Sequence, residues 1–177
     1  MTPPLHLLST SEHTIEHFRG LMADLLLQRS WKLVTAESCT GGLIAATCTD
    51  LAGSSDWFER GFVTYSNESK TELLGVDAAL IAAHGAVSEP VARAMAQGAL
   101  AHSHAQIAVA VTGIAGPGGG SADKPVGSVW LAWATAAGVQ TECQQFAGDR
   151  NAVRVATVRY ALQRVLGLLT GPQTATT

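Results

Sequence analysis

A chain of 177 residues, 47% hydrophobic and only 14% charged, is long enough to enclose one sizeable core and must bury most of its apolar side chains there. A net charge of −3, with Lys and Arg dispersed, provides no basic footprint for a phosphate backbone and argues against nucleic-acid binding. No window reaches the roughly 18 uninterrupted apolar residues of a membrane span, and residues 1–9 lack a cationic segment ahead of an apolar one, so a cytoplasmic protein with no membrane partner is expected.

Residues 1–10 form an N-terminal segment ahead of one domain, residues 11–169. Across residues 11–29, Ile15, Phe18, Met22, Leu25 and Leu26 recur at helical spacing, with Ser11 as the expected N-cap and Glu12 in the first turn. Residues 32–36 read as a short buried strand. It runs into Thr35-Ala36-Glu37-Ser38-Cys39-Thr40-Gly41-Gly42, and residues 42–49 follow as a helix of small side chains. Residues 51–56 break the pattern, and 58–66, with Phe62, Val63, Thr64 and Tyr65, are β-rich.

Helices are expected over residues 67–74, 77–83 and 88–102, the last with Ser88 as N-cap and Pro90 near its first turn. Residues 107–111 form a continuous apolar strand that enters a glycine-rich loop, 113–120. Residues 126–135 and 139–146 read as a β-hairpin turning at Ala136-Ala137-Gly138, and 149–169 as a closing helix. Residues 170–177 are expected to fray. Helices interspersed with strands, plus one hairpin, imply an α/β fold: a single three-layer α/β/α sandwich around a mixed β-sheet. The low charged fraction, against roughly 25% in ordinary domains, points to a homodimer.

Catalytic groups in such sheets gather beyond the carboxyl ends of strands. Ser38 stands at an apparent strand-to-helix turn, where unpaired amides of the next helix can face an oxyanion, making it the candidate nucleophile. A serine hydroxyl needs a base. None of the six histidines follows a strand, and His13 and His17, although spaced i,i+4, lack the HExxH form of a metal site. Three cysteines, Cys39, Cys48 and Cys143, an odd number with no CxxC pair, argue against a thiolate zinc site and a disulfide framework.

That leaves three lysines. Lys32 opens a strand at the end away from Ser38. Lys124 completes a Ser-x-x-Lys match at Ser121, but between a triple glycine and Pro125 rather than on a helix. Lys70, just past the second strand, is the best-placed base, since burial can hold a lysine amine neutral; otherwise it is a solvated surface residue. Tyr65 either relays a proton or is a half-buried strand aromatic. The glycine loop either binds a phosphate through its amides or is a plain turn, and it fits neither the Walker nor the GxGxxG pattern. Cys39 is either a reactive thiol at a helix N-terminus or a buried small residue.

The ordered segments Thr35 to Gly42, Gly53-Ser54-Ser55 with Trp57-Phe58, Gly61 to Asn67 with Lys70, His84 to Ser88, and Gly113 to Pro117 together resemble the CinA C-terminal domain family. The resemblance spans about residues 11–169, and it is to the stand-alone members that lack a further N-terminal domain. It implies hydrolysis of the carboxamide of nicotinamide mononucleotide to nicotinic acid mononucleotide and ammonia, in pyridine nucleotide salvage, with neither metal nor cofactor. Ser38 matches the family's nucleophile, and Tyr65 and Lys70 match the groups that assist it. Lys70, neutral or sharing a proton with Tyr65, would deprotonate Ser38, while amides of Cys39, Thr40 and Gly41 hold the oxyanion. The segment Thr112, Gly113, Ile114, Ala115 and Gly116, together with Arg150, is the candidate ribose-phosphate site, Arg150 being alternatively a surface or interface ion-pair partner. The competing reading is a nucleotide-binding or sensing module that keeps the pocket without the chemistry.

Overall fold

The computed structural model describes residues 14–171. Helix α1, Ile15–Gln28, starts from Thr14, whose hydroxyl accepts the His17 amide. Thr14 rather than Ser11 is therefore its N-cap; Ser11 and the His13 partner of the suggested i,i+4 pair lie outside the described residues. Strands β1, Leu33–Glu37, β2, Phe58–Val63, β3, Ile107–Gly113, β4, Ser128–Thr135, and β5, Gly138–Gln145, form one sheet in the order β2-β1-β3-β4-β5. β1 is parallel to both β2 and β3, and β3, β4 and β5 follow one another antiparallel, giving the expected mixed sheet.

Alternation along the strands divides the core into two faces. Leu33, Ile107, Val109, Val111, Leu131 and Trp133 point to one side, where α1, α2 (Leu43–Thr49) and α6 (Arg150–Thr170) cover them. Val34, Ala36, Ala108, Ala110, Ala132 and Ala134 point to the other, against α3 (Asn67–Leu74), α4 (Ala78–His84) and α5 (Glu89–Ala101). The sandwich thus has three layers, large side chains filling one interface and alanines allowing α5 to lie close on the other. Each large aliphatic or aromatic side chain so buried contributes about 1.5–3 kcal/mol relative to exposure. Among the described residues, no helix is long and apolar enough to cross a membrane.

Where boundaries depart from expectation, hydrogen bonding gives the reason. β2 stops at Val63, not at residue 66, because the Thr64 and Ser66 carbonyls accept the Lys70 ammonium group and the Ser66 hydroxyl caps α3. β3 runs to Gly113, because Thr112 and Gly113 still pair with Trp130 and Val129 of β4, so the glycine loop begins one residue later than expected. The Ser88 side chain does not cap α5; it donates to the Gly85 carbonyl at 2.8 Å. Thr170 is the last residue of α6 rather than part of a frayed tail, and residues 172–177 lie outside the described residues.

Candidate active site

β1, β2 and β3 are parallel, so their carboxyl ends emerge at one edge of the sheet, where the chain leaves β1 toward β2 on one side and leaves β3 toward β4 on the other. Ligands settle at such switch points. Ser38 follows the last residue of β1, and its amide donates to the Val111 carbonyl of β3 at 3.0 Å. Lys70, one turn into α3, sends its Nζ to Ser38 Oγ at 3.2 Å, to the Thr64 carbonyl at 2.8 Å and to the Ser66 carbonyl at 3.3 Å. Lys70 is only 1% exposed, and burial holds its pKa below the ordinary lysine value. When protonated, the amine gives one hydrogen to each of three acceptors. When neutral, its two hydrogens satisfy the carbonyls and its lone pair faces Ser38 Oγ, ready to accept the hydroxyl proton.

Tyr65 is 61% exposed, and its hydroxyl accepts from Arg150 at 2.9 Å. No hydrogen bond joins Tyr65 to Lys70 among the described residues, so the expectation that the two share a proton is not met by this geometry. Arg150, the first residue of α6, uses its other terminal nitrogen on the Gly116 carbonyl at 2.8 Å and so ties the glycine loop to the Tyr65 end of β2.

Ser38, Cys39, Tyr65, Lys70, Thr112, Gly113, Ala115 and Arg150 line a single cavity of about 220 Å³, joined by Asn67, Ala86 and Val87. Thr112 holds the wall by donating to the Ala86 carbonyl at 2.9 Å. Ile114 and Gly116 are outside this lining. Ile114 is pinned to the start of β4 through Ser128 and Gly127, whereas Gly116, at φ +83°, presents its carbonyl to Arg150. A larger open cleft of about 640 Å³ shares Ala115 and Arg150 with the cavity and adds Pro117, Gly148, Asn151 and Arg154.

The amides after Ser38 divide their work in a way the sequence did not suggest. Gly41 N donates to the Ser38 carbonyl at 3.0 Å, so it is not free for an oxyanion. The helix amides are also taken: the Glu37 carboxylate, fully buried, accepts from Gly42 N, Ile44 N and Ala45 N and from the Thr40 hydroxyl. The Cys39 and Thr40 amides have no oxygen acceptor among the described residues and face the Cys39 sulfur, a weak acceptor. Arg154, one turn beyond Arg150, donates to the Thr40 carbonyl at 2.8 Å. Sequence reasoning missed both Glu37 and Arg154, although the side-chain-free Gly42 at an N-cap and the i,i+4 arginine pair were available signals.

The remaining candidates fall away on geometry. Burial pushes the Cys39 thiol up to about 12, which removes it as a thiolate at neutral pH. Lys124 sits in a turn, its amide on Ser121 Oγ and its Nζ on the His84 carbonyl. No histidine lines the cavity, and no cluster of metal-ligating side chains occurs among the described residues.

The nicotinamide-nucleotide amidohydrolase PncC of Escherichia coli K12 is 57% identical over 145 residues, covering 80% of this chain and 87% of that protein. The enzyme of the same name from Enterobacter agglomerans is 56% identical over 157 residues, covering 88% and 96%. The crystal structure of the competence/damage-inducible protein CihA from Agrobacterium tumefaciens superposes with a TM-score of 0.86 at 46% identity, over 90% of this chain and 98% of that one. With the model of the CinA C-terminal domain matching residues 15–169, the chain belongs to the CinA C-terminal domain family.

Proposed function

We propose that the chain is a nicotinamide-nucleotide amidase that converts nicotinamide mononucleotide to nicotinic acid mononucleotide and ammonia, a step of pyridine nucleotide salvage, with Ser38 as nucleophile. The amidohydrolase names of relatives up to 57% identical support the substrate. The observation that carries the chemistry is the 3.2 Å contact between the buried Lys70 amine and Ser38 Oγ.

Neutral Lys70 takes the hydroxyl proton as Oγ attacks the carboxamide carbon, and the carbonyl oxygen becomes an oxyanion facing the Cys39 and Thr40 amides. The C–N bond then breaks as the Lys70 ammonium returns the proton to the leaving nitrogen, releasing ammonia and a nicotinoyl ester. Water, deprotonated by Lys70, attacks that ester, and Ser38 regains its proton as the acid departs. The reacting ring occupies the cavity beside Ser38. The ribose phosphate extends past Ala115 into the larger cleft, where the Arg150 and Arg154 guanidinium groups supply positive charge. Assembly as a homodimer belongs to the same reading, supported by the low charged fraction and by exposed Leu21, Leu27, Leu73 and Val155.

Ammonia release from nicotinamide mononucleotide by the purified protein is the test. Ser38→Ala is expected to abolish it, and Lys70→Ala to lower it by roughly 10²-fold or more, with folding checked by circular dichroism. Substrate that raises the melting temperature without any ammonia release would support a binding module instead.

A further inference from the structure

Gly42 is the N-cap of α2, at φ +96°, and has no side chain with which to satisfy the helix's orphan amides. Glu37, five residues earlier at the end of β1, supplies the missing acceptor. Its Oε2 accepts from Thr40 Oγ1 at 2.6 Å, Gly42 N at 3.1 Å and Ile44 N at 2.9 Å, and its Oε1 accepts from Ala45 N at 2.8 Å. Three of the four donors crowd onto Oε2 and one binds Oε1, so both carboxylate oxygens are engaged. Glu37 is completely buried and enters no salt bridge among the described residues, so these four bonds and the helix dipole carry the burden of its desolvation.

This occupancy has a consequence for the nucleophile one residue away. An anion already sits at the N-terminus of α2, which closes those amides to any second anion. What remains is the turn before the helix, where the Cys39 and Thr40 amides lack an oxygen acceptor among the described residues and face only the weakly accepting Cys39 sulfur. That turn is held by the Thr40 hydroxyl on Glu37, by Gly41 N on the Ser38 carbonyl and by Arg154 on the Thr40 carbonyl. We propose that Glu37 is a positioning residue for the reaction: by binding the Thr40 hydroxyl and the first amides of α2, its carboxylate holds the Cys39 and Thr40 amides in place for the developing oxyanion. The Lys70 amine bonds Ser38, Thr64 and Ser66 rather than Glu37, which acts through the backbone. The inference rests on the serine-nucleophile reading above and deepens it.

The experiment compares wild type, Glu37→Gln, Thr40→Val and Thr40→Ser in two assays. One is ammonia release from nicotinamide mononucleotide, and the other is the labelling rate of Ser38 by a fluorophosphonate, read by mass spectrometry, which needs the nucleophile and its oxyanion amides but no nucleotide. Glu37→Gln is expected to lower kcat by about 10²-fold, as for loss of an oxyanion donor, with KM unchanged and labelling slowed in parallel. The pH at which the rate rises should stay at its wild-type position, because Glu37 does not contact Lys70. Thr40→Val should lose about tenfold and Thr40→Ser should recover it, a rescue that tests the idea even if Glu37→Gln fails to fold. Wild-type kcat and labelling in Glu37→Gln would overturn the proposal, as would Thr40→Ser no better than Thr40→Val. Wild-type protein that labels at Ser38 yet releases no ammonia would remove the substrate reading, and the labelling rates alone would then decide the role of Glu37.

Discussion

Tyr65 and Lys70 leave the same strand end for opposite environments, and the contrast separates their roles. The lysine amine is sealed under Thr64 and Ser66, where it can meet Ser38, whereas the tyrosine hydroxyl stands in solvent on the Arg150 guanidinium. The resemblance to the family pointed to both residues, and the sequence pattern put Tyr65 at the end of the second strand and Lys70 just past it. It could not reveal that a residue 85 positions away holds the phenol. Tyr65→Phe therefore tests whether the hydroxyl moves a proton or sets Arg150 in place. Loss of one hydrogen bond to a charged group is expected to raise KM about tenfold with kcat little changed. A kcat that instead falls about 10²-fold at constant KM would make Tyr65 a proton-transfer group.

Among the elements, α3 and α5 set how Lys70 is presented. Gly98 of α5 lies against the last turn of α3, so closely that a Cβ there would stand 1.9 Å from the Leu74 carbonyl oxygen. The better helix propensity of alanine, about 1 kcal/mol, cannot offset contact with a backbone atom fixed by its own helix. Gly98→Ala is expected to cost about 1–3 kcal/mol of stability in urea denaturation. Gly20→Ala in α1, where no atom lies within 4 Å of the added methyl, should stabilise by about 0.4–1 kcal/mol. Equal effects of the two changes would mean that the α3–α5 contact is not tightly packed. Such a contact was invisible in the sequence, where residues 88–102 showed only a helix starting at Ser88 and Pro90. The limits of α3 itself, Asn67–Leu74, were legible, because Ser66 caps it and Gly75 terminates it at φ +67°.

For the molecule as a whole, the buried Lys70 amine links pH to both rate and stability. Its folded pKa lies below the ordinary 10.5, mainly because burial disfavours the ammonium form. A neutral base requires kcat/KM to climb with pH through that lowered value and then level off. Stability moves in the same direction. Between the folded pKa and 10.5 the unfolded chain binds more protons than the native one, so unfolding becomes harder as pH rises, and the benefit is lost as pH falls through the folded pKa. Denaturation midpoints of wild type, measured against Lys70→Met to cancel other titrations, should shift in favour of wild type as pH approaches 10.5. A difference that shrinks over that range would show that the amine is not held below its ordinary pKa.

Local pattern was enough to determine the elements, their order and the α/β class, because periodicity, caps and glycines act over a few residues. Chain order also brought Ser38, Lys70 and the glycine loop to strand ends, where chemistry collects. Only the tertiary structure decided which amide remains open and which cation holds which oxygen. Glu37 closes the α2 amides, Arg154 fixes the Thr40 carbonyl, and Arg150 claims Tyr65, each through a hydrogen bond made after the chain has turned in space. Such bonds depend on distances of about 3 Å, which chain separation does not set. The Arg154 and Arg150 bonds join residues 114 and 85 positions apart, and even the short Glu37 span needs the turn after β1 to bring carboxylate and amides together.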